Sequence, residues 1–184
     1  HCSRDVSPPS SGISSLLHAI GAIPNFTDII YFFVKIYSIM IKNKDKKLNL
    51  GIVGGGAKSW IGHVHRIASR FDDQYQIVAG VFSRDTKSSI KFGTSIGISK
   101  ERCYSNFKEM ADKESKRNDG INVVSIMTPP ASHQVIAEAF IDKNINIISD
   151  KPFAGNIDQA KKLYKKIKSN KKIKYVLTHN YSAY

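Results

Sequence analysis

The chain has 184 residues, of which 41% are hydrophobic and 23% charged, enough for one domain with its own core and too apolar for a disordered segment. Its formal net charge is +13, from 28 Lys and Arg against 15 Asp and Glu. No nucleic-acid motif accompanies that charge, and many of the lysines fall within residues 161–174 around a predicted helix. We therefore read it as a solvated lysine-rich face rather than a nucleic-acid or acidic-membrane surface.

Residues 1–39 differ from the rest. They open on a Ser/Pro-rich stretch from Ser7 to Gly12 and contain an apolar run, Ile29-Ile30-Tyr31-Phe32-Phe33-Val34. Arg4 and Lys35 balance Asp5 and Asp28, so the whole positive charge lies after this segment. The run is short for a membrane span and is flanked by charges without a preceding basic region. The expected organisation is a leader over 1–39, disordered or not native, and a domain over 40–184 that starts at Met40; a targeting extension is the other reading of the leader. Cys2 and Cys103 stand far apart and in no metal-ligand spacing, which suggests neither a disulfide framework nor a zinc site and suits a reducing cytoplasm.

From Leu48 onward strands and helices alternate. The pattern predicts strands at 48–53, 76–82, 122–127, 146–149 and 174–178. It predicts helices at 60–71 (through Ile61, Val64, Ile67 and Ala68), 86–92, 106–117, 130–143 with Pro130 in the first turn, and 157–168 buried through Ile157, Ala160, Tyr164 and Ile167. Such alternation implies a doubly wound α/β fold: a parallel sheet covered on both faces.

The segment from Leu50 to His65 runs from strand through glycines into helix. Gly54 suits a tight turn off the strand, Gly56 a close backbone approach to a pyrophosphate, and the helix start offers free N–H groups and a positive dipole end. The third glycine of a G-x-G-x-x-G pattern would fall on Ser59, whereas Gly62 lies three residues later, so the turn carries a three-residue insertion. Glycine turns of this kind also occur in S-adenosylmethionine enzymes. At the end of the second strand, where an NAD-selective site has an acidic residue, the sequence has Ser83 followed by Arg84, a pairing that suits a 2′-phosphate and favours NADP over NAD. Asp85 reads as a helix N-cap.

Two further stretches carry a family resemblance: Met127-Thr128-Pro129-Pro130-Ala131-Ser132-His133 and Ile145-Asn146-Ile147-Ile148-Ser149-Asp150-Lys151-Pro152-Phe153. Together with the glycine turn they resemble the Thr-Pro-Asn-x-x-His segment and the Glu-Lys-Pro signature of the Gfo/Idh/MocA oxidoreductases, over about residues 48–184. The resemblance implies a Rossmann domain that binds NAD or NADP through Gly54, Gly55, Gly56, Ser59, Trp60, Ser83, Arg84, Thr128, Pro129, His133, Asp150, Lys151 and Asn180. It implies a catalytic role for Lys151, because a cation beside the substrate hydroxyl lowers the pKa of the alcohol and stabilises alkoxide character. Asp150 replaces the family's usual Glu, and Pro130 its Asn. His63 and His65, two residues apart on a helix, point to different faces and do not form a metal pair.

Family members continue into a second, substrate-binding domain, and Tyr184 falls where the resemblance places the start of that domain. The resemblance therefore implies a fragment, inactive alone, of a cytoplasmic enzyme that transfers hydride between NAD(P) and a secondary alcohol of a sugar, sugar acid or cyclitol. It implies small-molecule partners, no metal, no nucleic acid, no membrane, and a homo-oligomer for the full-length protein. The alternatives are a non-catalytic NAD(P)-binding or sensing module, which has no need of Lys151, and a methyltransferase, which lacks Asp150-Lys151-Pro152.

Overall fold

The computed structural model describes residues 47–71 and 73–178. The expected leader, Met40 and Asn180 lie outside them. The chain divides between Asp45 and Lys46, and only the second unit is described here.

Six parallel strands form one sheet in the order β3-β2-β1-β4-β5-β6. They are β1 (Leu48–Gly54), β2 (Tyr75–Val81), β3 (Cys103–Tyr104), β4 (Val123–Met127), β5 (Asn146–Ser149) and β6 (Tyr175–Leu177). The helices are α1 (Trp60–Phe71), α2 (Thr86–Ser95), α3 (Phe107–Ser115), α4 (His133–Ile141) and α5 (Ile157–Ser169), with short 3₁₀ turns at Lys100–Arg102 and Pro130–Ser132. Winding runs outward from β1 to β3 and then, after a crossover, from β4 to β6. The order reverses between β1 and β4, and a crevice opens there at the carboxyl ends of the strands, where doubly wound sheets bind ligands.

Strand alternation divides the buried side chains between two cores. Val53, Val124, Ile126 and Ile147 point to one face and pack with Met110, Phe140 and Leu163 from α3, α4 and α5. Ile52 and Met127 point to the other and join Phe82, Ile98 and Cys103, with Ile61 and Phe92 beside them. Each large side chain fully removed from water contributes roughly 1.5–3 kcal/mol. Helix starts are defined by Asp85, Asn106 and Asn156, whose side chains accept hydrogen bonds from the N–H groups of Ser88, Lys108 and Gln159, each cap stabilising by about 1 kcal/mol.

Three expectations need correction. The predicted helix from Pro130 begins with a 3₁₀ turn, and the α-helix starts only at His133. In α5 the buried residue is Leu163; Ile157 and Tyr164 are exposed, because both fit the same helical period on an adjacent stripe. In α1, Val64, Ile67 and Ala68 are exposed and the buried residues are Gly62 and Ser69, since this helix lies so close to the glycine turn that small residues form its inner side. The pattern also gave no sign of β3, two residues long. It is fastened by a buried network: Arg102 Nη2 donates to Glu114 Oε2 (2.5 Å), Arg102 Nε to Glu114 Oε1 (3.1 Å) and Tyr104 Oη to Glu114 Oε1 (2.9 Å). Burial and the neighbouring Glu114 carboxylate raise the Tyr104 pKa.

Candidate functional site

At its carboxyl end β1 turns sharply. Gly54 has φ +92° and Gly55 φ +64°, left-handed conformations that glycine adopts without a Cβ penalty. A Cβ on Gly54 would stand 2.6 Å from Met127 O, and one on Gly56 2.5 Å from Phe82 O, so both positions leave bare backbone at the crevice. The chain then makes an extra turn at Ala57-Lys58, with Ser59 N–H donating to Gly56 O (2.9 Å). Ser59 caps α1, its Oγ accepting from Gly62 N–H (3.1 Å), while the N–H groups of Trp60 and Ile61 have no partner among the described residues. Free N–H groups at a helix start, beside a bare glycine backbone, form an anion seat. Arg66 braces it from the next turn of α1, donating to Gly55 O (2.6 Å) and lying 5.1 Å above the Phe92 ring. Trp60 is 77% exposed at the mouth of the turn.

A cleft of about 280 Å³ continues from this turn and includes Gly54, Ser83, Arg84, Asn106, Thr128 and Pro129 in its walls. Arg84 is exposed and unpaired among the described residues. Asp85 is turned away from this role: its carboxylate caps α2 through Ser88 N–H (2.7 Å), and those hydrogen bonds hold it below the usual carboxylate range. Ser105 and Asn106 line the same cleft from the end of β3, residues that the sequence gave no reason to select. The hydroxyl of Thr128 accepts from Ser132 Oγ (2.8 Å).

The end of β5 is held to both of its neighbours. Asp150 N–H donates to Ile126 O (2.9 Å) on β4, and Thr178 Oγ1, beyond β6, donates to Asp150 Oδ1 (3.1 Å). Lys151 is exposed and makes no hydrogen bond or ion pair among the described residues. His133 is fully buried, with Nδ1 2.8 Å from Pro152 O and Nε2 2.7 Å from Thr128 O. The ring stands between two carbonyl acceptors, and its single N–H donates to one of them while the other nitrogen lies against the second; the imidazole frames the crevice without opening into it.

A larger, mostly apolar cavity of about 410 Å³ lies beside α1, between Ile61, Val64 and Leu50 on one side and Ser125 and Ile148 on the other. His65 lines it, with Nδ1 3.0 Å from Ser125 Oγ, and burial lowers its pKa. Asp150 and Thr178 at the ends of β5 and β6 also line this cavity, whereas the smaller cleft is the one bordered by the glycine turn, Ser83 and Arg84.

A strand-order reversal, a glycine turn feeding a helix start, and successive βαβ units around one crevice define a dinucleotide-binding α/β domain. The family model "Oxidoreductase family, NAD-binding Rossmann fold" matches residues 48–179, and the chain belongs to this Gfo/Idh/MocA family. Among its relatives is the uncharacterized oxidoreductase YfiI of Bacillus subtilis, 42% identical over 108 residues that cover 58% of this chain and 28% of that protein. An oxidoreductase from Sinorhizobium meliloti superposes with a TM-score of 0.72 at 44% identity, covering 76% of this chain and 39% of that one. An inositol dehydrogenase homolog from Azotobacter vinelandii, solved with NAD+, gives 0.69 at 30% identity, covering 73% and 34%. The chain thus spans between 28% and 39% of the length of these relatives.

Proposed function

We propose that this chain is the cofactor-binding part of an NAD(P)-dependent dehydrogenase, and that the whole protein oxidises a secondary alcohol of a sugar, sugar acid or cyclitol. The observation that carries this reading is convergence. The Gly54–Gly56 turn, Thr128-Pro129 and Asp150-Lys151 stand at the carboxyl ends of three adjacent strands, β1, β4 and β5. The Azotobacter homolog solved with NADH and myo-inositol supports a cyclitol or related polyol as the substrate class.

The residues fit the cofactor. Gly54 and Gly56 leave room for a pyrophosphate against the backbone, and the free N–H groups of Trp60 and Ile61 face negative charge favourably. Ser83 and Arg84 take the adenosine ribose end, where a guanidinium pairs with a 2′-phosphate, so NADP is favoured over NAD. The family resemblance assigns Asp150 to the nicotinamide ribose and Asn180 to the neighbourhood of the nicotinamide. When bound, the nicotinamide supplies the hydride acceptor. Lys151 orients the substrate hydroxyl and stabilises its developing negative charge as the proton leaves.

In the whole protein, Lys151→Ala should leave the melting temperature nearly unchanged and reduce kcat on the best polyol by about 100-fold or more. Lys151→Arg should not rescue it, since guanidinium is larger and stays protonated. Near-normal turnover by the alanine variant across a polyol panel, with NAD and NADP, would make Lys151 an ordinary loop lysine.

A further inference from the structure

Lys151 contributes nothing to its own placement: its side chain is exposed and unpaired among the described residues. The backbone on either side must therefore hold it. On the near side, Asp150 N–H is tied to Ile126 O at the end of β4. On the far side, Pro152 O meets His133 Nδ1 (2.8 Å). Beyond Pro152 the loop is held by Phe153 edge-on to Tyr175 (5.4 Å between centroids), by Gly155 closely apposed to Ala131, and by Gly155 N–H donating to Gln159 Oε1 (3.0 Å).

His133 is the first residue of α4 and is wholly buried. Its second nitrogen, Nε2, meets Thr128 O (2.7 Å) at the end of β4. One rigid ring thus spans two carbonyls: one belongs to the Thr128-Pro129 wall of the nucleotide cleft, the other to the residue after Lys151. With one nitrogen donating to a carbonyl, the other packed against the second carbonyl and no exposed surface, the imidazole has no polar atom open to a ligand. An apolar residue would fill the same space among Ile136 and Ala137, also buried on α4, but would leave both carbonyls free to move.

We propose that His133 is a positioning residue for Lys151: a buried imidazole strut that fixes the distance between Thr128 and Pro152 and so sets where the lysine stands over the nicotinamide end of the cleft. This rests on the dinucleotide reading above. It separates two functions of the crevice. The adenosine half is built by Ser83, Arg84 and Asn106, which meet the strut through Thr128 in the same wall; the nicotinamide half meets it through Pro152, next to Lys151.

The test uses the full chain in wild-type, His133→Phe and His133→Gln forms. NAD, NADP and ADP affinities are measured by calorimetry, and reductive methylation of Lys151 is followed by mass spectrometry with and without each nucleotide. In the wild type NAD should slow methylation of Lys151 and ADP should not. In His133→Phe, ADP should bind within about twofold of wild type while NAD binding weakens about tenfold and its protection of Lys151 is lost. His133→Gln, which keeps an amide donor for one carbonyl, should fall between and serves if the phenylalanine variant does not fold. A folded variant that keeps full NAD affinity and full protection of Lys151 overturns the proposal. Equal loss of ADP and NAD binding also overturns it, making His133 a general packing residue. A wild-type chain that binds none of NAD, NADP and ADP brings down the dinucleotide reading itself, and the strut with it.

Discussion

Gly62 lies on α1, yet its importance comes from β1. A Cβ built there falls 2.7 Å from the carbonyl carbon of Gly55, well inside the ordinary contact range, which begins near 3.4 Å. Gly62→Ala therefore forces α1 away from the glycine turn by more than about 0.7 Å, because Gly55 Cα and O lie closer still to the added Cβ than that carbonyl carbon. Overpacking of this kind costs about 1–3 kcal/mol, and alanine returns about 1 kcal/mol in helix propensity. The net cost of about 0–2 kcal/mol leaves the domain folded, with a melting temperature lower by at most roughly 8 °C. The anion seat suffers more, because the N–H groups of Trp60 and Ile61 move together with the helix. A loss of about 1.4 kcal/mol there is a tenfold weaker NAD complex. Calorimetric titration with NAD, paired with melting curves, measures both quantities. An alanine variant that binds NAD with wild-type affinity would refute the argument that close approach at Gly62 shapes the site.

Three other outcomes follow from the geometry. Arg84→Ala should weaken NADP by about 1.5–3 kcal/mol and leave NAD nearly unchanged; calorimetry showing no change for NADP would remove Arg84 from the site. Arg102→Met should cost about 3–5 kcal/mol in urea unfolding, because Glu114 is left buried without its cation, while Arg102→Met with Glu114→Leu should recover most of that loss. The third concerns acid. Burial lowers the pKa of His65 in the folded state below that of an ordinary histidine, about 6.5, so the unfolded chain binds this proton more tightly. Stability is then full above about 6.5 and declines as pH falls from there through the folded value. His65→Gln should flatten the change in melting temperature between about pH 7 and pH 5; an unchanged slope would assign it elsewhere.

The parts of the fold that were legible in the sequence are those where one residue type satisfies one demand. Val123–Met127 is buried throughout, and only a central strand buries five residues in a row. The glycines of the turn, Thr128-Pro129 and Asp150-Lys151-Pro152 were legible because their spacing is tied to strand ends. Other parts were hidden for physical reasons. In α1 the inner face is made by Gly62 and Ser69, so hydrophobic periodicity selected Val64, Ile67 and Ala68, which are exposed. The insertion at Ala57-Lys58-Ser59 was visible, but not that Ser59 becomes the cap while Gly62 makes the close approach of a third glycine. Ser105 and Asn106 were missed because the strand that delivers them is two residues long. Arg66 and His133 act on carbonyl oxygens, and every residue has one of those, so their partners left no trace in the side-chain pattern.

The two outermost strands of the described sheet are β3, with two residues, and β6, with three. A foreign strand needs a row of unpaired N–H and C=O groups on which to extend a ladder, and neither edge offers more than one or two such rungs. At one end the ladder stops where Arg102 and Tyr104 turn inward onto Glu114. At the other, Lys171, Lys172 and Lys174 precede the strand, and lysines beside an edge repel a second copy carrying the same charges. Self-templating through the sheet rim, the route by which exposed β-edges seed amyloid-like growth, is thus blocked at both sides by brevity and charge. Among the described residues, the surfaces left for association are those of the helices.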